Sequence, residues 1–125
     1  MIWVVRAALA LLVTLSIAGP AHAGGDAARG EAKFDDCAAC HKLEAGVNEV
    51  GPSLHGVFGR KAGEIVDFRY SPAMKRSGIV WTAETLDAYL ADPQSLVPGN
   101  RMPYAGMENA ADRADLIAYL LNATK

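Results

Sequence analysis

Two cysteines spaced as Cys37-Ala38-Ala39-Cys40, with His41 immediately after them, constrain this chain more than any other feature. Thiols separated by two residues at the end of a helix can each add across a vinyl group of a haem. A histidine in the next position is then placed to ligate the iron from the same side. Three other uses of the motif fit less well. A thioredoxin-like redox pair needs a strand before the first cysteine, and none is readable before Cys37. A structural zinc needs four ligands; only His55 could join Cys37, Cys40 and His41, and adjacent residues rarely face one tetrahedral ion together. A disulfide across so short a loop suits an oxidising compartment but leaves His41 without a purpose.

The compartment is suggested by the first residues. Arg6 supplies a positive charge, Ala7 to Ile17 form an apolar run, Gly19-Pro20 breaks it, and Ala21-His22-Ala23 offers small residues at a cleavage site. The pattern predicts a secretory signal over residues 1–23, cut before Gly24, because the apolar run falls short of the roughly 20 residues that span a bilayer. What remains, residues 24–125, suffices for one small domain, and a chain of that size is expected to lean on a staple or a cofactor. The signal removes one of 12 basic side chains against 14 acidic ones, leaving a net charge of about −3. With no basic tract or basic helix, nucleic acid is not an expected partner, and with the signal removed no stable membrane insertion is expected.

Along the remaining chain, Gly25 to Asp35 reads as a short helix with Asp26 at its N-cap. From Lys42 to Arg76, glycines and prolines punctuate an ordered loop with one helical turn near Pro72 to Lys75. Thr82 caps a second helix whose buried face carries Leu86, Tyr89 and Leu90, and Pro93 is expected to end it. Gln94 to Gly106 reads as a loop. Asn109 then caps a last helix with Ala114, Ile117, Ala118 and Leu121 at helical spacing, widened by Leu116, Tyr119 and Leu120. Three main helices and two long loops are an unusual plan for a compact domain, unless the loops wrap a large apolar group.

A sixth iron ligand would come from His55, Met74, Met102 or Met107. A lone methionine is more often core filler, and the residues alone leave the choice open. Met102 stands apart only because Pro98-Gly99 and Pro103 bracket it in a loop able to hold a thioether rigidly.

Taken together, the motifs resemble class I cytochrome c, in particular its mitochondrial-type and bacterial c2-like members. The resemblance runs from Gly25-Asp26-Ala27-Ala28-Arg29-Gly30 through the Cys-x-x-Cys-His motif, Gly51-Pro52-x-Leu54-His55-Gly56-x-Phe58-Gly59-Arg60, Phe68-x-Tyr70-Ser71 and Gly78-Ile79-x-Trp81. It continues in Glu84-Thr85-Leu86-x-x-Tyr89-Leu90, Pro98-Gly99-x-x-Met102 and Asp115-Leu116-Ile117-Ala118-Tyr119-Leu120. It implies a small all-α domain around one covalent haem c on Cys37 and Cys40, with His41 and Met102 as axial ligands. By the same resemblance, the Pro52 carbonyl orients His41. Tyr70 and Trp81 donate to a haem propionate, with Arg60 and Ser71 easing that charge. Tyr89 lies beside Met102, Asn100 bonds a propionate, and Gly30 and Phe34 pack on Tyr119.

The sequence departs from that family at Met74, where an asparagine is usual, and at Asn100, where a threonine is usual. Mitochondrial members ring the exposed haem edge with lysines; matching positions here include Asp36, Glu49, Gln94, Ser95, Glu108 and Asn109, with Arg101 among the few cations kept. Docking is therefore expected to rely on apolar contact around the haem edge, or on a partner patch that is not acidic. The function implied is that of a soluble, monomeric, periplasmic one-electron carrier of positive potential, not an enzyme. Its transient partners would be membrane redox complexes or periplasmic redox enzymes, in a respiratory, photosynthetic or one-carbon oxidation chain. The alternative is a haem enzyme with peroxidase-like activity, which requires Met102 to be labile.

Overall fold

The computed structural model describes residues 24–125, and the expected signal segment lies outside the described residues. Local capping chemistry sets most helix starts. Asp26 accepts from the Arg29 amide and opens α1 (Ala27–Lys33), and Ser71 accepts from the Met74 amide to open α3 (Pro72–Arg76). Thr82 and Thr85 form a reciprocal capping box at α4 (Ala83–Ala91), and Asn109 accepts from the Asp112 amide at α6 (Ala110–Ala123). Each cap satisfies amides that have no partner within the helix.

Two boundaries differ from the sequence reading. The first helix does not stop at Asp35: after a turn at Phe34, which keeps helical backbone angles, α2 (Asp35–Ala38) carries the chain on to Cys37. Pro93 begins a helix as well as following one. Asp92 is extended (φ −158°, ψ 91°), breaks away from α4 and caps α5 (Pro93–Leu96) through the Ser95 amide. Proline suits a first helical position because its missing N–H would have no partner there. Part of the expected loop from Gln94 is therefore helical.

The framework is the crossing of α1 over α6. Gly30 makes it possible, because a Cβ there would overlap the Asp115 carbonyl and crowd Tyr119. One turn on, Phe34 meets Tyr119 with ring centroids 5.6 Å apart. Leu116, Ile117 and Leu120 form the buried face of α6, and Leu116 is wholly inaccessible. Leu121, expected on that face, is exposed; the apolar stripe lies one residue nearer the N-terminus. Asp115 sits among these residues, 5 % exposed, accepting from the Asp26 amide at 2.7 Å and from Arg29 Nε at 3.0 Å. It thereby ties the start of α1 to the middle of α6.

The long loops satisfy their backbone by pairing across the molecule. Gly51 N–H donates to Cys40 O (2.9 Å), Leu54 N–H to Lys42 O (2.9 Å) and Trp81 N–H to Arg60 O (2.9 Å). Among the described residues the only strand-like pairing is an isolated bridge between Lys61 and Val80, so the domain is all-α.

Candidate functional site

The helices and loops close around an apolar cavity of about 290 Å³. Its walls are built by Leu86 and Leu90 of α4, Leu116 and Leu120 of α6, and Val57 and Phe68 of the long loop. Of the site residues expected from the sequence, Cys37, Cys40, His41, Pro52, Arg60, Tyr70, Ser71, Trp81, Tyr89 and Met102 all line this one space. Asn100 does not.

His41 is held with little freedom. Its Nδ1 lies 2.7 Å from the Pro52 carbonyl, and an acceptor there requires Nδ1 to carry the proton, which leaves the Nε2 lone pair free. Gly51 provides the room, since a Cβ on it would stand 2.5 Å from Cε1 and 2.8 Å from Nε2 of the ring. Burial lowers the imidazole pKa first; the Pro52 bond opposes this, and the Arg60 charge adds to it. The ring is thus neutral at neutral pH, the form that ligates a metal.

Cys37, in α2, and Cys40, two residues past its end, are not joined by a disulfide. Burial, then the neighbouring Asp36 and Cys40, pushes the Cys37 pKa up to about 11, so the group is a thiol at neutral pH and not a spontaneously reactive thiolate. Among the described residues no group of three or more histidine, cysteine and carboxylate side chains is arranged to hold a metal ion directly.

Cationic and phenolic side chains also reach the lining. Arg60, Arg69 and Arg101 all reach the cavity, and none forms an ion pair with a carboxylate among the described residues. Burial lowers the Arg60 pKa, while Tyr70 and Glu64 oppose that. Tyr70 stacks edge-on to Phe68 at 4.9 Å, and its pKa is raised, first by burial. Trp81 packs on Tyr89 at 5.1 Å, and burial pushes the Tyr89 phenol up to about 12. Ser71, also on the lining, spends its oxygen as the cap of α3 and keeps its hydroxyl proton to donate. Arg69 belongs to this group but was not singled out from the sequence; its position between Phe68 and Tyr70 was the available signal.

Met102 reaches the lining from the loop after α5, with Met74 on the same lining. His55 is exposed and Met107 packs on the core; neither lines the cavity. Asn100 stands apart from that lining. Its amide is buried within its own loop, donating to Pro93 O and Val97 O and accepting from the Met102 amide.

The residues present fit a haem. An apolar lining suits the macrocycle, a neutral imidazole with a free Nε2 and a thioether suit the iron, two thiols suit the vinyl groups, and unpaired guanidinium groups suit the propionates. A small all-α domain closed on such a cavity defines a haem protein. The chain belongs to the cytochrome c family, whose family model matches residues 27–124.

It is 54 % identical over 87 residues to cytochrome c2 iso-2 of Magnetospirillum fulvum, covering 70 % of this chain and 91 % of that one. It is 45 % identical over 111 residues to cytochrome c2 of Blastochloris viridis, covering 88 % and 87 %. Among solved structures, cytochrome cH from Methylobacterium extorquens superposes with a TM-score of 0.73 at 47 % identity, over 78 % of this chain and 98 % of that one. The chain is a bacterial c2-like class I cytochrome c, a haem-containing electron carrier, and the family carries one covalently attached haem c.

Proposed function

We propose that the protein is a soluble periplasmic carrier that shuttles single electrons between redox complexes, with haem c attached through Cys37 and Cys40 and ligated by His41 and Met102. The observation that carries this reading is the convergence of those four side chains on one apolar lining, with His41 Nδ1 already committed to Pro52. When bound, haem c supplies a one-electron ferrous–ferric couple.

The protein's own residues set how that couple behaves. The Pro52 carbonyl fixes the His41 tautomer and raises its basicity. The Met102 thioether and the leucine-rich walls favour the less charged oxidation state, giving a positive potential. Arg60, Tyr70, Ser71 and Trp81 would hold the propionate charge, and Tyr89 would lie beside the thioether. A peroxidase-like enzyme would need an open iron position with a distal acid–base group. Among the described residues His41 is the sole imidazole on the lining, so the electron-carrier reading is preferred.

Residues 1–23 direct export and are removed, leaving 24–125 as a single monomeric domain. The Arg6, apolar and Ala-x-Ala pattern and the likeness to bacterial cytochromes c2 support a periplasmic location. Among the described residues no helix is long and apolar enough to cross a membrane. Partners are membrane redox complexes or periplasmic redox enzymes that dock briefly at the cavity mouth, where Val50 is 69 % exposed and Asp36, Pro103 and Tyr104 also reach the lining.

The test is to mature the protein in a host that attaches haem c and record both oxidation states. Haem that survives acid–acetone extraction, with a weak long-wavelength thioether band in the ferric form that Met102→Ala abolishes, is the expected result. Covalent haem without that band reopens the enzyme reading, and no covalent haem at all refutes the assignment of Cys37 and Cys40.

A further inference from the structure

The loop that presents Met102 has only the single turn of α5 as regular structure, yet two side-chain amides tie its backbone at Pro93, Val97, Gly99, Asn100 and Met102. Asn100 Oδ1 accepts from the Met102 N–H at 2.9 Å, closing an Asx turn. The Asn100 Nδ2 group donates to Pro93 O and to Val97 O, both at 3.0 Å. Gln94 clasps the same segment from outside, donating to Asn100 O at 3.1 Å and accepting from the Gly99 N–H at 3.2 Å.

The bonds are not equivalent. Pro93 O already accepts from the Val97 amide, and Val97 O from the Asn100 amide, so both carbonyls keep a partner if the Asn100 side chain is lost. The Met102 N–H does not: among the described residues Asn100 Oδ1 is its acceptor. Asn100 is 7 % exposed and stands off the cavity lining, so it reaches the site only through the Met102 backbone.

We propose that Asn100, braced by Gln94, is the positioning residue for Met102: an amide clamp that holds the thioether in place against competing ligands. The proposal rests on the reading of Met102 as the axial ligand. A thioether is a weak donor, so its hold depends on a loop already arranged to present it, and each clamp bond removes conformations in which Met102 has swung away. A threonine at this position could form only the weaker hydroxyl version of the turn, without the two amide donors. In this chain both parts of the clamp come from the amides of Asn100 and Gln94.

The experiment titrates the ferric holoprotein with imidazole and follows loss of the long-wavelength thioether band. Asn100→Ala is expected to bind imidazole about tenfold more tightly than the native protein, the equivalent of one lost hydrogen bond. Gln94→Ala, at an exposed position, is expected to show about a threefold gain. Asn100→Ser restores an acceptor for the Met102 N–H and should recover much of the loss.

Asp26→Ala, which uncaps α1 far from the loop, serves as the stability control and should leave imidazole affinity unchanged. If Asn100→Ala does not mature, Gln94→Ala and Asn100→Ser carry the test. Unchanged imidazole affinity in the loop variants, or an equal gain in Asp26→Ala at equal loss of thermal stability, overturns the clamp. A native ferric spectrum without the band, or a band that persists in Met102→Ala, removes the ligand reading and the clamp with it. A band lost in Met102→Ala beside unaltered loop variants removes the clamp alone.

Discussion

Gly51→Ala isolates the contact that seats the proximal imidazole. A Cβ at position 51 would lie 2.5, 2.7 and 2.8 Å from Cε1, Nδ1 and Nε2 of His41, whereas carbon atoms in contact sit about 3.5 Å apart. One partner must therefore retreat by about 1 Å. The residue 51 backbone is poorly able to do so, because its N–H donates to Cys40 O at 2.9 Å and its carbonyl accepts from the Glu49 amide at 2.9 Å. The imidazole yields instead. A shift of that size stretches the 2.7 Å bond between Nδ1 and Pro52 O beyond hydrogen-bonding range.

A bond of that kind is worth about 0.5–1.5 kcal/mol net. If all of it favours the ferric state, the potential changes by about 20–65 mV, taking 59 mV per tenfold for one electron. The direction follows from the bond's action. Pro52 O raises the basicity of the imidazole and so supports the more highly charged iron; its loss raises the potential. Redox titration of the matured variant beside the native protein gives the answer. A potential that is unchanged or lower, with the haem still covalent and both axial ligands in place, would refute the argument that Gly51 exists to seat His41 against Pro52.

Three further outcomes are expected. Gly30→Ala pushes α1 off α6, because its Cβ overlaps the Asp115 carbonyl and crowds Tyr119. Overpacking of this kind costs about 1–3 kcal/mol, and thermal unfolding should show a fall in Tm of about 4–8 °C for each kcal/mol. Asp115 has its pKa held below the ordinary 3.8, first by the Arg29 hydrogen bond. Its carboxylate therefore stabilises the fold fully above that value, and the contribution fades as pH falls through the lower, folded-state value. Asp115→Asn should flatten the acid limb of a series of urea midpoints, and an unaltered limb would show that this network does not govern acid unfolding. At the cavity mouth, where Asp36 and Val50 reach the lining, the rate of electron exchange with the native partner should change little as salt rises. A steep fall with salt would indicate docking on an acidic patch.

How far the sequence could be read depended on the range of the interactions involved. Caps at Asp26, Thr82 and Asn109 join a side chain to an amide three residues on, so the chain's own spacing displays them. The attachment motif is equally local. Pro93 was legible only as a stop, because a proline ends one helix and begins the next with the same fixed φ; Asp92 before it and Ser95 after it were the missed signal.

The bond from the Asp26 amide to Asp115 spans 89 positions, and no local pattern announces it. A carboxylate set within the apolar stripe of α6 was the available hint. Asn100 shows a different limit. Its residue type correctly suggested a hydrogen-bonding role, but whether an amide turns toward a cavity or into its own loop depends on where the surrounding carbonyls point. Here Pro93 O, Val97 O and the Met102 N–H converge on it, and that convergence exists only once α5 has formed. The helical turn missed in the sequence and the inward placement of Asn100 thus have one cause: α5 turns the Pro93 and Val97 carbonyls toward residue 100, whose amide also takes the Met102 N–H.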